Sequence, residues 1–387
     1  MSQTIASERG VEVYLGADIG ATSSKVVAVS KDGQVRAYAR GAGGNIRSSG
    51  TRALDNIFDA IADVCAALPG ATILGAHLGI AGAGPARWEH INAECQRRWE
   101  QLAAQINSQL ATELNTGITN RLAVARESQT GGGITPKYHF DPIRISQDLD
   151  TAFAAASQSG NGILVLAGTG AVVAQYQNFS LTRRCDGMGW LLGDIGSATW
   201  IGIQALQAVA AALDGRGPQT LLTQEVLNHC LAIRCEQERY SDQGARKQAN
   251  MPMGAGADAQ DLRQDLIAYV DQVNPAEFGQ FAPIVCEHVD DAVCVEIVSQ
   301  AITGICRSVA AVCDTEVRNE DMVLTGGLLC EGGPLRDRLS AELLRRYPGL
   351  HLCDSVPPIV GALQLASEGH LDRTVLTAQI AEHTPFS

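Results

Sequence analysis

The chain has 387 residues, 45% of them hydrophobic and 18% charged, which is long enough for two ordinary domains with a sizeable core. Lys and Arg total 29 against 42 Asp and Glu, a formal net charge of −13; with no basic cluster, nucleic acid and anionic membrane surfaces are excluded as expected partners. Eleven cysteines stand singly, with no Cys-x-x-Cys, the pattern of free thiols rather than of a disulfide framework or a structural zinc.

Residues 1 to 10 lack the basic start and apolar run of a signal peptide, and no later apolar run approaches membrane-spanning length, so a cytoplasmic location is expected. Residues 11 to 40 alternate apolar and polar over three short runs, with Lys31-Asp-Gly33 as a turn, and predict an antiparallel meander. The bend between the first two runs is Asp18-Ile-Gly-Ala-Thr-Ser-Ser-Lys25. Gly20 and Ala21 allow close backbone approach, and the amides and hydroxyls of Thr22 and Ser23, with the Lys25 cation, suit phosphate oxygens. Asp18 at the strand end suits a hydrated Mg²⁺. An ordinary hairpin turn would have the same composition.

Gly41 to Gly50 is a glycine-rich loop whose Asn45 has both a donor and an acceptor, as a sugar hydroxyl or a turn would use. Apolar residues at Leu54, Ile57, Phe58, Ile61, Val64, Cys65 and Leu68 predict an amphipathic helix over 52–68. A buried strand over 73–80 ends in Ala81-Gly82, the kind of strand-end loop where an α/β sheet meets a ligand. A polar helix is expected over about 88–115, a chain break at Gly131 to Pro136, and a short strand at 143–146. Asp148 then opens a helix to Ala156, and either Asp148 or Asp150 serves as its cap.

Residues 157–162 read as a linker between halves. The opening pattern then returns as an apolar strand, the turn Gly168-Thr169-Gly170 and a second strand. Two such bends could close on one polyphosphate from opposite sides. Asp194, in the glycine-rich stretch before an apolar helix over 199–213, is either its N-cap or an acceptor for a sugar hydroxyl. Residues 233–262 read as a polar surface excursion, and helical patterns resume over 276–313. A buried strand ends in Gly326-Gly327, which suits an adenine or ribose, and the prolines at 357 and 358 start the last helix.

Together, residues 18–25, Gly168-Thr169-Gly170 and the strand with Gly326-Gly327 resemble the phosphate-1, phosphate-2 and adenosine motifs of the actin, hexokinase and heat-shock ATPase superfamily. With the Asn45 loop, Ala81-Gly82, Asp148 and Gly189 to Ser197, the resemblance narrows to the N-acetylglucosamine kinase type of the BadF/BadG/BcrA/BcrD ATPase family. It implies an α/β fold of two ribonuclease-H-like (actin-like ATPase) domains with an interdomain cleft that closes over ATP and a sugar. The first would span 1–158, completed by 358–387, and the second 159–357. Position by position, it implies Asp148 as general base, Asp18 as the carboxylate serving Mg²⁺, and Asn45, Gly82, Thr169 and Asp194 as sugar contacts, with Ala81 beside them. A homodimer is common in the resembled family. The chain departs from it in Asp18-Ile-Gly-Ala-Thr22, where Asp-Gly-Gly-Gly-Thr is usual, and in Ile195, where an acid commonly follows.

The expectation is an ATP-dependent kinase for the 6-hydroxyl of N-acetylglucosamine or glucosamine. One alternative is an activator ATPase of 2-hydroxyacyl-CoA dehydratases or benzoyl-CoA reductases. That reading is disfavoured because no cysteine is seen in a glycine-rich loop. Another is an actin-like assembly protein on the same fold.

Overall fold

The computed structural model describes residues 3–4, 10–20, 23–43, 52–84, 87–122, 139–229, 259–313 and 320–385. The strands are β1 (Gln3–Thr4), β2 (Glu12–Ile19), β3 (Ser23–Ser30), β4 (Val35–Ala42), β5 (Thr72–Ile80), β6 (His139–Phe140), β7 (Ile143–Gln147), β8 (Gly162–Ala167), β9 (Ala171–Gln177), β10 (Ser180–Asp186), β11 (Glu320–Thr325) and β12 (Leu350–Leu352). The helices are α1 (Arg52–Ala66), α2 (Trp88–Leu122), α3 (Asp148–Ala156), α4 (Ala198–Leu213), α5 (Ala259–Gln272), α6 (Ala282–Glu287), α7 (Ala292–Val312), α8 (Arg336–Arg346), α9 (Pro358–Ala366) and α10 (Arg373–His383). The chain divides into two compact units: Met1–Gly160 with Gln177–Ser180 and Asp354–Ser387, and Asn161–Tyr176 with Leu181–Cys353.

The first unit is built on a mixed sheet in the order β1-β4-β3-β2-β5, with both β6 and β7 paired to β5. β2, β3 and β4 form the expected antiparallel meander, and β2, β5 and β7 run parallel. Alternation decides which side chains of β2 face inward, so Val13, Leu15, Ala17 and Ile19 are buried. α1 lays its stripe of Leu54, Ile57, Phe58, Ile61, Val64 and Cys65 into a core on one face of this sheet, as its spacing requires. The opposite face is closed by α9 and α10, whose Ile359, Leu363, Leu376 and Ile380 pack with Val27, Val29 and Val35.

α3 joins this layer, with Ala155 in the same core, and Thr151 leaves no room for a side chain at two neighbouring glycines. A Cβ on Gly79 would lie 2.4 Å from Thr151 Oγ1, and one on Gly361 would lie 1.9 Å from the Thr151 carbonyl oxygen. α2 runs beyond its expected end to Leu122. Its first turns bury Ile91, Cys95, Trp99 and Leu102, and Trp99 Nε1 donates to the Asp141 carbonyl at 2.9 Å.

The second unit has a five-stranded sheet in the order β10-β9-β8-β11-β12. β8 and β9 are antiparallel, while β8, β11 and β12 are parallel. Three strands in hairpin succession followed by two parallel ones is also the plan of β4-β3-β2-β5-β7, so the repeated sequence pattern has a repeated topology beneath it. α4 and α7 supply the core with Ile201, Ala205, Val209, Ile297, Ala301, Ile305 and Val309. Contrary to the sequence expectation, α7 is long and apolar enough to cross a membrane by length and composition; its apolar stripe is instead part of this core.

Two further expectations are corrected. Residues 259–262 are helical, as the start of α5, and 230–258 lie outside the described residues. The helical pattern over 276–313 is interrupted: a 3-10 helix (Pro275–Phe281) with Asn274 as its cap leads into α6, and Asp291 caps a separate α7. The stretch 157–162, expected as a linker between halves, does hold the boundary between the two units, which falls between Gly160 and Asn161, and it is a tight turn. Ser157 is buried and its Oγ accepts from the Gly160 amide at 3.0 Å. Gly162 has no room for a side chain, because a Cβ there would lie 1.9 Å from the Asp321 carbonyl oxygen.

Candidate active site

In the first unit, three parallel strands end at one edge. Register pairs Ile19 of β2 with Ile80 of β5, and Ile80 with Gln147 of β7. The sequence-predicted residues Asp18, Ala81, Gly82 and Asp148 follow from those ends and are gathered there. Carboxyl ends of parallel strands are where open α/β sheets take their ligands.

Asp18 pairs across the sheet with Lys25 on one side and Gly79 on the other. Burial pushes its carboxyl above the usual carboxylate range, while the Lys25 charge pulls it down. A desolvated carboxylate with one positive neighbour gains from an added cation, and Mg²⁺ commonly keeps its waters and takes only one or two carboxylates. The donor chemistry therefore fits the hydrated Mg²⁺ expected there. After Ile19 the chain turns, with the Gly20 amide donating to the Ser23 carbonyl at 3.0 Å. Ala21 and Thr22 lie outside the described residues, as does Asn45. Ala81 is tied to this turn by its amide, which donates to the Ile19 carbonyl at 2.9 Å. Gly82 has φ +79°, a left-handed conformation that a Cβ would strain.

The two carboxylates at the start of α3 have different jobs. Asp150, at the third helical position, accepts from the Gln147 amide at 3.0 Å and closes a capping box with the Gln147 side chain. Asp148, at the first helical position, is half-buried and accepts from the Leu149 amide at 3.1 Å through Oδ1.

Behind them lies a residue that the sequence reading passed over. His77 is buried in β5, and its Nε2 is 2.9 Å from Ser146 Oγ. Ser146 Oγ in turn donates to the Gln147 carbonyl at 3.1 Å. With its one proton so used, Ser146 Oγ accepts a hydrogen bond from His77 Nε2–H, which fixes the tautomer. Nδ1 is then an unprotonated atom without a partner among the described residues. Burial, with Arg144 nearby, pushes the His77 pKa down to about 4.

In the second unit, the turn Gly168-Thr169-Gly170 joins β8 to β9 and is held by the Gly168 amide donating to the Gly170 carbonyl at 2.9 Å. α4 begins directly on it: the Ala198 amide donates to the Gly168 carbonyl at 2.8 Å, and Thr199 Oγ1 to the Thr169 carbonyl at 2.8 Å. Gly326 and Gly327 follow β11, which pairs in parallel with β8. A Cβ on Gly326 would lie 2.5 Å from the Ala167 carbonyl oxygen.

Asp194 also reaches this turn, since a Cβ on Gly170 would lie 3.0 Å from its Oδ2. The N-cap of α4 is Ser197, whose Oγ accepts from the Trp200 amide at 3.0 Å. The capping role left open for Asp194 is therefore excluded. Asp194 has φ +55° and is 9% exposed, and its Oδ1 accepts from the Gly189 amide at 3.2 Å.

The strain is held by Asp186, which the sequence reading missed. Its two carboxylate oxygens accept from the amides of Asp194 at 2.6 Å and Ile195 at 3.0 Å. Ile195 turns its side chain toward Gly304 of α7, where a Cβ would lie 2.2 Å from Ile195 Cγ2. Contrary to the sequence expectation, one cysteine does lie in a glycine-rich stretch: Cys330 follows Gly326-Gly327 and precedes Gly332-Gly333.

The sequence profile of the BadF/BadG/BcrA/BcrD ATPase family matches residues 15–366, and the chain belongs to that family. Among characterised relatives, an N-acetylmuramic acid/N-acetylglucosamine kinase from Clostridium acetobutylicum is 33% identical over 86 residues, 22% of this chain and 28% of its own. An N-acetyl-D-glucosamine kinase from Dictyostelium discoideum is 27% identical over 207 residues, 53% of this chain and 59% of its own. The matched stretches thus span less than two thirds of either relative. A Chromobacterium violaceum structure provisionally assigned as an N-acetylglucosamine kinase shares the fold with a TM-score of 0.60 and 22% identity, over 92% of this chain and 99% of that one.

Proposed function

We propose that this chain is an ATP-dependent amino-sugar kinase that transfers the γ-phosphate of ATP to the 6-hydroxyl of N-acetylglucosamine or glucosamine, on two ribonuclease-H-like domains. The observation that carries the reading is the division of labour at the start of α3. Asp150 is committed to the capping box, and Asp148 stands one residue beyond a parallel strand end, where a general base belongs. The names of the two kinase relatives and the family membership support the same reading.

In this mechanism Asp148 accepts the proton of the attacking hydroxyl. Phosphoryl transfer is mainly positioning and charge stabilisation, so one oriented carboxylate is what the protein must add. Asp194, with Gly82, Thr169, Ala81 and Asn45, is assigned to the sugar. The amides and hydroxyls of Gly20, Ala21, Thr22, Ser23, Gly168, Thr169 and Gly170, with Lys25, are assigned to phosphate, and Gly326-Gly327 to the nucleoside. Asp18 would hold hydrated Mg²⁺, which when bound neutralises charge on the phosphates. A cytoplasmic homodimer goes with this assignment.

The test is a coupled assay of the purified protein with ATP, Mg²⁺ and a panel of hexoses and hexosamines. Turnover is expected with an N-acetylated or free 2-amino sugar, and no turnover of any hexosamine overturns the reading. Asp148→Asn is expected to lower kcat by about 100-fold or more while ATP affinity holds, the size of effect a positioned base supplies. Near-normal turnover in that variant reassigns the base.

A further inference from the structure

Beside the start of α3 in the first unit lies a cavity of about 680 Å³ that no part of the proposed mechanism uses. Its described lining consists of Ala83, Arg87, Trp88, Glu89 and His90 at the start of α2, and Ile145, Ser146, Gln147 and Asp150 where β7 meets α3. The volume falls in the range of small-molecule sites and equals that of roughly twenty waters.

Its position relative to Asp148 is informative. Asp148 does not line the cavity, but Gln147 before it and Asp150 after it do. Whatever fills the space therefore lies alongside the group that reacts at Asp148, not at it.

The two walls differ. The β7–α3 wall is fixed by the chain of hydrogen bonds from His77 through Ser146 to Gln147 and by the capping box. On the α2 wall, the side chains of Arg87, Glu89 and His90 make no hydrogen bond or ion pair among the described residues. Donors and acceptors are thus available to a ligand, with both signs of charge present and no excess cation to call for an anion. Trp88 adds a half-buried ring, with Ala83 and Ile145 as apolar floor. An indole in the wall together with mixed donors and acceptors suits a neutral ring rich in hydroxyls.

We infer that this cavity is a subsite for a second pyranose ring linked to the acceptor sugar, so that the substrate class extends to short amino-sugar oligosaccharides. The inference rests on the assignment of Asp148 to the acceptor hydroxyl.

The experiment compares N-acetylglucosamine with its β-1,4-linked dimer, both as substrates and as ligands by calorimetry, in the wild type and in the double variant Arg87→Ala/His90→Ala. Both residues are exposed. The wild type is expected to bind the dimer at least fivefold more tightly than the monomer. In the variant, the ratio of kcat/KM for dimer over monomer is expected to fall at least fivefold. Equal affinities in the wild type, or a ratio that moves less than twofold, overturn the subsite. If no sugar is turned over, the kinase reading fails by itself. Calorimetry then still decides the cavity: a preference for the dimer that disappears in the variant sustains it, and no preference overturns it. Arg87→Lys/His90→Gln, which keeps hydrogen-bonding groups on that wall, is expected to recover at least half of the lost preference.

Discussion

His77 illustrates how a single buried side chain can make stability depend on pH. Its neutral form is the folded form, and its pKa is depressed from 6.5 to about 4. The unfolded chain takes up the proton first as pH falls. The stabilisation is therefore complete above about pH 6.5 and is lost on the way down to pH 4. At about 1.4 kcal/mol per unit, the shift corresponds to about 3 kcal/mol. Urea midpoints measured at pH 7 and pH 4.5 are expected to fall further in the wild type than in His77→Asn, and parallel falls in the two proteins would show that His77 is not held neutral. Nothing in the sequence marks this residue. It sits in the apolar run of β5, and its partner Ser146 lies 69 positions away on a strand whose pairing only the fold reveals. Asp186 is silent for the same reason: an isolated acid in a glycine-rich stretch has no period, and its hold on the Asp194 and Ile195 amides spans eight and nine residues. The turns around Asp18 and Gly168 were legible because alternation identifies strands and small residues identify the bends between them.

Elements pack as closely as their smallest residues permit, and Thr151 of α3 is the contact point on two sides. The neighbour of Gly79 is the Thr151 side chain, whereas that of Gly361 is the Thr151 backbone. Overpacking at such sites costs about 1–3 kcal/mol or more, so Gly79→Ala and Gly361→Ala are both expected to lower the melting temperature. The two differ in remedy. Thr151→Ala removes the atoms that a Gly79 methyl would meet and is expected to restore much of the loss in a double-mutant cycle, whereas Gly361→Ala keeps its clash with the carbonyl. Equal rescue of both would mean that α3 shifts as a body. Helix existence was legible from the stripes of α1 and α7, but helix ends were not. α2 overran its expected end because a polar helix offers few apolar positions to mark where it stops, and the apolar pattern over 276–313 conceals the caps at Asn274 and Asp291.

At the scale of the whole chain, the first unit is assembled from both ends of the sequence. α9 reaches β2, where a Cβ on Gly16 would lie 2.8 Å from Leu363 Cγ, and its residues share a core with β3 and β4. Deletion of 354–387 is expected to strip amide-exchange protection from β2, β3 and β5 while leaving β8 and β11 protected, since the core of the second unit contains no residue beyond Leu350. Retained protection in β2 and β5 would show that the meander and α1 suffice alone. The proline-started helix at 358 was legible from its sequence, but its place under the N-terminal sheet was not, because strand alternation says which face is apolar and not what covers it.

This closure by late residues sets an order of events on the ribosome. From Gly160 to Pro358, where α9 begins, is 358 − 160 = 198 residues, which at about 5–20 residues per second take roughly ten to forty seconds to synthesise. During that interval the nascent N-terminal sheet has α1 on one face and nothing from α9 or α10 on the other. The unit encoded in the middle is thus the first whose parts are all made, and the one that leaves the exit tunnel first must wait longest, with Val27 and Val29 uncovered, for its last helices to arrive.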